Sequence, residues 1–273
     1  MTSAALPRVR RDKQFLIGLA MVALLAFLAL AAPWLAPDDP QFVRLRARLL
    51  PPLSPEHLLG TDHLGRDIAA RLLAGLRLSV ATAGMATLIA FTIGTGLGLA
   101  AASGPRLFTR LITQITSLAQ SFPVFVLAVS IVAIAGNGFW AVVLTLGFVS
   151  WPVFCRVVLA EASSLMTRDH VLAARMMQMG HLRLLAHHVL PGLVPSLAVL
   201  IAFHFADMLI AESALSFLGI GAPLGSATWG AMLSESRAYL LNAPWMLLLP
   251  ASAVVLVVIA FNLTGDGLRR RLQ

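Results

Sequence analysis

His204, Asp207 and Glu212 are three ionisable residues inside one apolar run, 192–219. Such groups within a membrane span are costly to bury. They mark a route for cargo, ions or protons, or else a polar pair that ties two spans together. His204 and Asp207 share a helical face with Met208 and Ala211, and Glu212 lies about one turn further on. A histidine and a carboxylate can bind nickel, but two ligands at this spacing do not make a coordination shell, so no metal site is assigned. Acid–base catalysis could use the same three groups, yet no nucleophile–base arrangement accompanies them. The other histidines add nothing: His187 and His188 point to different faces of one helix, and His63 belongs to a loop. The single cysteine, Cys155, lies in an apolar run, so there is no disulfide framework.

The elements that must carry these residues are membrane spans. Of 273 residues, 59% are hydrophobic and 12% charged, against about 25% charged in soluble domains. Six runs are long enough to cross as helices: 15–36, 78–102, 109–135, 138–158, 192–219 and 245–264. The first is too long for the core of a signal peptide. Gly94-x-Gly96-x-Gly98 reads as a close-packed helix face, since no phosphate-binding strand precedes it. The fold class is all-α and polytopic.

The net charge of +8 comes from twenty basic residues, all arginine except Lys13. Most flank apolar runs, which points to topology and not to nucleic acid. With the N-terminus in the cytoplasm, thirteen fall inside: Arg8, Arg10, Arg11, Lys13, Arg106, Arg110, Arg156, Arg168, Arg175, Arg183 and Arg269 to Arg271. Six of the other seven lie in one long outer segment, which also holds Asp38, Asp39, Glu56, Asp62 and Asp67. An even number of spans then places both termini in the cytoplasm.

Three regions follow: 1–36, the cytoplasmic N-terminus and first span; 37–77, an outer segment; and 78–273, a five-helix core. In the outer segment, PDDP and LLPPLSP are turn-rich. Thr61 or Asp62 could cap a surface helix from about Leu64, with Ile68, Leu72 and Leu73 opposite Arg66, Asp67 and Arg71. A second outer region, 220–244, contains Gly-Ala-Pro; Trp229, Tyr239 and Trp245 there suit an interfacial belt.

The inner segment 161–190 is too long for a simple connection. Ala173, Ala174, Met176 and Met177 favour helix, Gly180 interrupts, and His181 to Val189 resumes before Pro191. Two short helices at an angle are expected, with Leu182, Leu185 and Val189 on one face. Met-rich apolar surface adapts to a partner's groove.

This stretch resembles the EAA loop of permease subunits in binding-protein-dependent ABC importers. Aligned on Leu190-Pro191, Ala173 and Ala174 match the two alanines; Leu172 stands where glutamate is usual and Gln178 where glycine is usual. GTDHLGRDI at 60–68, ESALSFLGIGAP at 212–223 with TWGAML at 228–233, and FNLTGDGLRRRL at 261–272 are similar to motifs of the peptide and nickel branch, the dipeptide-permease C-subunit type.

The resemblance implies a type I permease fold with a cytoplasmic coupling-helix pair, in a bacterial inner membrane. Leu172, Ala173, Ala174, Arg175, Met177, Gln178, Gly180 and His181 would then meet the ATPase, and His204, Asp207 and Glu212 would lie along the route. It implies a second permease chain, two ATPase subunits holding ATP and magnesium, and a periplasmic binding protein. Cargo would be small peptides or nickel and other metal chelates. The chain itself contains no G-x-x-x-x-G-K-[ST] loop, so it cannot supply its own ATPase and needs no cofactor of its own. Two other readings of the residues remain: a membrane-embedded enzyme using His204, Asp207 and Glu212, and a scaffold with no conduit.

Overall fold

The computed structural model describes residues 13–35, 39–221 and 226–272. Arg8, Arg10, Arg11, the Pro-Asp that opens PDDP and the Ala-Pro of Gly-Ala-Pro lie outside them. The described chain is helical, with two isolated bridges, Ser54–His57 and Thr61–Asp67, and no strand. In order, its helices are α1 (Lys13–Leu35), α2 (Ile68–Ser103), α3 (Arg106–Gln120), α4 (Val124–Ala135), α5 (Phe139–Leu165), α6 (Asp169–Met176), α7 (His181–Leu184), α8 (Leu190–Phe217), α9 (Trp229–Ser236) and α10 (Trp245–Leu272).

Five segments are long and apolar enough to span: α1, α2, α5, α10 and the continuous stretch His181–Phe217 that contains α7 and α8. The expected third span, 109–135, is not one helix. It divides into α3 and α4, bent by 83°. Pro123 is the cause, because a proline in a helix lacks its N–H and clashes with the turn before it, and it drives Phe122 away from helical geometry. Counted as one pass, the bent pair makes six.

The centre of the bundle is α2 against α5. A methyl group at Gly94 would stand 2.4 Å from the Trp151 carbonyl oxygen, and one at Gly98 would stand 2.8 Å from Val158 Cβ; at Gly96 nothing lies within 4 Å. The close-packed face is therefore Gly94 and Gly98, four apart, and Gly96 is not part of it. Gly147 meets Ile89 and Ala86 in the same way, so α2 and α5 run parallel. The first turn of α1 packs on the last turns of α10: Phe15 abuts Gly267, the Arg271 guanidinium lies 4.0 Å from the Phe15 ring centre, and Arg270 donates to the side-chain Oε1 of Gln14. Hence the start of α1, the end of α10, the C-terminal ends of α2 and α5, and α6 all lie at one end of the bundle. The 39–67 segment and α9 lie at the other.

Two expectations change at that second end. The surface helix near Leu64 does not exist as a separate element. Asp67, not Thr61 or Asp62, caps α2, accepting from the Ala70 N–H at 2.8 Å, and helix begins at Ile68 and runs for 36 residues. Arg71, expected on a wet face, is 1% exposed. Of the aromatic residues expected as a belt, Trp229 is buried, and Tyr239 and Trp245 are half-buried. Trp229 is 2% exposed and donates to the Leu72 carbonyl; Trp245 donates to the Thr61 carbonyl; Tyr239 stacks on His63 at 5.2 Å.

Candidate functional site

The elbow is built from α6, α7 and a π-helical turn, Leu185–Val189. Its inner face is anchored. Val171, Ala174, Leu184 and Val189 are buried with Phe154, Val158, Ala162 and Leu165 of α5 and Leu193 and Leu197 of α8. Its outer face is bare: Met176 is 85% exposed, Met177 80% and Leu182 82%. Leu172, Ala173, Arg175, Gln178, Gly180 and His181 are exposed beside them. Leu182 therefore does not share the inward face of Leu185 and Val189; Leu184 takes that place. Of the two alanines only Ala173 faces out, and Ala174 is 5% exposed.

Of the two roles open to Pro191, ending the second limb or starting the next span, it takes the second, in the first turn of α8. Helix continues from His181 through Pro191 to Phe217. A proline removes one backbone hydrogen bond and crowds the carbonyl four residues earlier, and the wider π turn directly before Pro191 accommodates that. The break between limbs also differs from expectation. Gly180 has φ −57, which any residue adopts, whereas Gln178 has φ +57. The left-handed residue thus stands where the resemblance expects glycine, and glutamine occupies it.

The ionisable trio on α8 divides. His204 and Asp207 line one cleft of about 270 Å3, walled by Val124 and Phe125 at the start of α4, Ser150 and Val153 of α5, and Phe203, Met208 and Ala211 of α8. Asp207 is exposed to it. His204 is 3% exposed, with Nδ1 3.4 Å from Thr87 Oγ1, its ring 4.8 Å from that of Phe154, and Nε2 without a hydrogen-bond partner. Ser150 donates to the Leu146 carbonyl and to Met208 Sδ. Glu212 lies outside this cleft. It is 2% exposed and accepts from Ser216 at 2.9 Å and Ser213 at 3.4 Å.

A polar centre at the opposite end was not legible in the sequence as such. Asp62 Oδ2 accepts from Arg66 Nε and Arg71 Nη1, each at 2.6 Å. Glu235 Oε2 accepts from Arg66 at 2.6 Å and Arg71 at 2.7 Å. Two carboxylates and two guanidiniums balance. His57 meets Asp67 at 2.8 Å alongside. Burial pushes the Asp62 carboxyl up, but the Arg66 backbone N–H and the Arg71 and Arg66 guanidiniums outweigh it, and the group ends below its usual range. Burial lowers His63, against the pull of Asp62 and Glu235. Ligand atoms of Asp62, His63 and Glu235 lie within 4.8 Å of one another. The guanidiniums already occupy the place a cation would take. The GTDHLGRD spelling was the available signal, but its partner Glu235 lies 164 residues from Arg71.

Comparison with known proteins agrees with this architecture. Residues 93–273 match the family described as binding-protein-dependent transport system inner membrane component. Residues 2–52 match the N-terminal transmembrane domain of oligopeptide transport permease C. The chain is 35% identical over 257 residues to the nickel transport system permease protein NikC of Escherichia coli (strain K12), covering 94% of this chain and 92% of that one. It is 35% identical over 269 residues to the dipeptide transport system permease protein DppC of Alkalihalophilus pseudofirmus, covering 98% and 88%. It is 38% identical over 268 residues to the di/tripeptide transport system permease protein DppC of Pseudomonas aeruginosa, covering 96% and 88%.

Proposed function

We propose, from the premise that the chain belongs to the binding-protein-dependent transport system inner membrane component family, that its elbow receives the motion of a separate ATPase and its α8 cleft forms part of the cargo route. The chain is a multi-pass inner-membrane permease subunit of an ABC importer, not an enzyme.

One observation carries the coupling role: the division of the elbow into an anchored face and a bare one. Docking on Met176, Met177 and Leu182 would load a lever whose other face is packed on α5 and which runs without a break into α8. A push there tilts the span carrying His204 and Asp207, a rigid-body change between inward- and outward-facing states. The elbow shares its end of the bundle with the start of α1, the end of α10 and with Arg106, Arg168, Arg175, Arg183 and Arg269 to Arg271, so this end is assigned to the cytoplasm.

The working complex pairs this chain with a second permease to close the pore. Two ATPase subunits hold ATP and magnesium, and a periplasmic binding protein delivers cargo. Relatives named for nickel and for di- and tripeptides support cargo of those classes, small peptides or nickel and other metal chelates.

The test is co-purification of the ATPase with Met177→Glu and Leu182→Glu. Both side chains are exposed, so the chain still folds while the apolar contact is lost. Loss of the ATPase and of uptake, with the second permease retained, is the expected result. Full association and uptake would return the chain to the scaffold reading. Asp207→Ala should slow uptake in a complex that still assembles.

A further inference from the structure

We infer that the α8 cleft selects positively charged cargo, and that Asp207 is the residue that does so, favouring a primary ammonium group such as a peptide's N-terminus. This rests on the reading of the cleft as part of the route. Asp207 and His204 are the ionisable side chains among the residues lining the cleft; no arginine or lysine lines it. The other walls are largely apolar, including Val124, Phe125, Val153 and Phe203. A single fixed negative charge between low-dielectric walls concentrates cations and depletes anions.

The hydrogen-bonding groups agree. The Ser150 hydroxyl is committed to the Leu146 carbonyl and Met208 Sδ. His204 Nδ1 faces Thr87, and Nε2 has no partner. The Asp207 carboxylate is acceptor-only, and it is the charged acceptor a cargo ammonium would meet. Glu212 cannot share the task, because it is buried with Ser213 and Ser216 away from the cleft. The cleft also sits at the 83° bend, where Val124 and Phe125 close it from the α4 side.

The test needs no knowledge of the natural cargo. Ala211→Cys puts a thiol on the cleft wall of the assembled importer in membrane vesicles; the native thiol of Cys155 is fully buried, and the unsubstituted chain reports its background. Two methanethiosulfonates are compared, one bearing a primary ammonium and one a sulfonate, with each rate divided by that for glutathione. The expected result is a preference for the ammonium reagent of about tenfold or more, abolished by adding Asp207→Asn and kept by Asp207→Glu. Equal normalised rates in A211C, or a preference that survives Asp207→Asn, would overturn the assignment while leaving a water-accessible route intact. If neither reagent reacts from either side of the membrane, the cleft is closed to water, and the route on which the assignment rests falls with it.

Discussion

Arg71 Nη1 lies 2.7 Å from Glu235 Oε2 and joins the first turn of α2 to α9 across 164 residues of chain. The same nitrogen is 2.6 Å from Asp62 Oδ2. Both side chains of the Arg71–Asp62 pair are 2% exposed. One guanidinium thus holds together three pieces of the outer end: the 39–67 segment, the start of α2, and α9. Its replacement leaves Asp62 and Glu235 to share the single guanidinium of Arg66, an unbalanced charge at a buried site, which costs more than the pair's net contribution. Arg71→Ala is expected to destabilise the chain by about 3–5 kcal/mol, read as a fall in the detergent melting temperature. Glu235→Gln should cost less, because Asp62 still accepts from both arginines and Glu235 is one-quarter exposed.

The same centre predicts a pH response. Asp62 sits below its usual value of 3.8 when folded. Its contribution is therefore complete above the unfolded value and is lost as pH falls through the lower folded value. His63 is also lowered, from 6.5. For a histidine held neutral by folding, the unfolded chain binds the proton first, so stability declines once pH drops below about 6.5. Both groups act in one direction. Melting temperature should be flat from pH 8 to about 7 and fall by pH 5, where His63→Asn flattens the curve. A His63→Asn profile that still falls between pH 7 and 5 would assign the effect to another group.

The spans were legible because hydrophobic length is a strong local signal; five of six appear within a few residues of their expected cores or as extensions of them. The failures have physical causes. The α3–α4 bend turns on Pro123, a single residue between the half-polar α3 and the apolar α4. The extension of α2 back to Ile68 depends on Asp67 as cap and on partners for Arg71 that come from distant chain. At the elbow, composition showed a broken helix, but burial decided which residues face out: Ala174 and Leu184 inward, Ala173 and Leu182 outward. Along α8, periodicity placed His204 beside Asp207. It could not show that Glu212 is held by two serines away from their cleft.

Gln178 carries φ +57 in the break of the elbow. A left-handed conformation costs a residue with a Cβ about 1–2 kcal/mol, and glycine escapes it. Its side chain is exposed and no hydrogen bond holds it. Gln178→Gly is expected to raise local stability by about 1 kcal/mol, seen as slower proteolysis of the elbow, with ATPase association retained. Gly180→Ala, at φ −57 with open space around it, should be nearly neutral. If the two results exchange places, the break is centred on Gly180 after all.

The contact of α2 with α5 makes the sharpest packing prediction. A Cβ at Gly94 would meet the Trp151 carbonyl oxygen at 2.4 Å and Phe154 Cβ at 2.6 Å. Backbone cannot give way there as a flexible side chain can, so Gly94→Ala must separate the two helices. Phe154 packs on His204, so the separation also disturbs one wall of the cleft. A cost of about 1–3 kcal/mol is expected, together with slower uptake. Gly96 is the internal control, two residues away on the same helix with nothing within 4 Å of its added methyl. Alanine there removes the glycine penalty of about 0.5–1 kcal/mol in a helix, so Gly96→Ala should be neutral or stabilising in the same melting assay. Equal effects at the two positions would mean that helix propensity, and not the close approach of α5, governs this face.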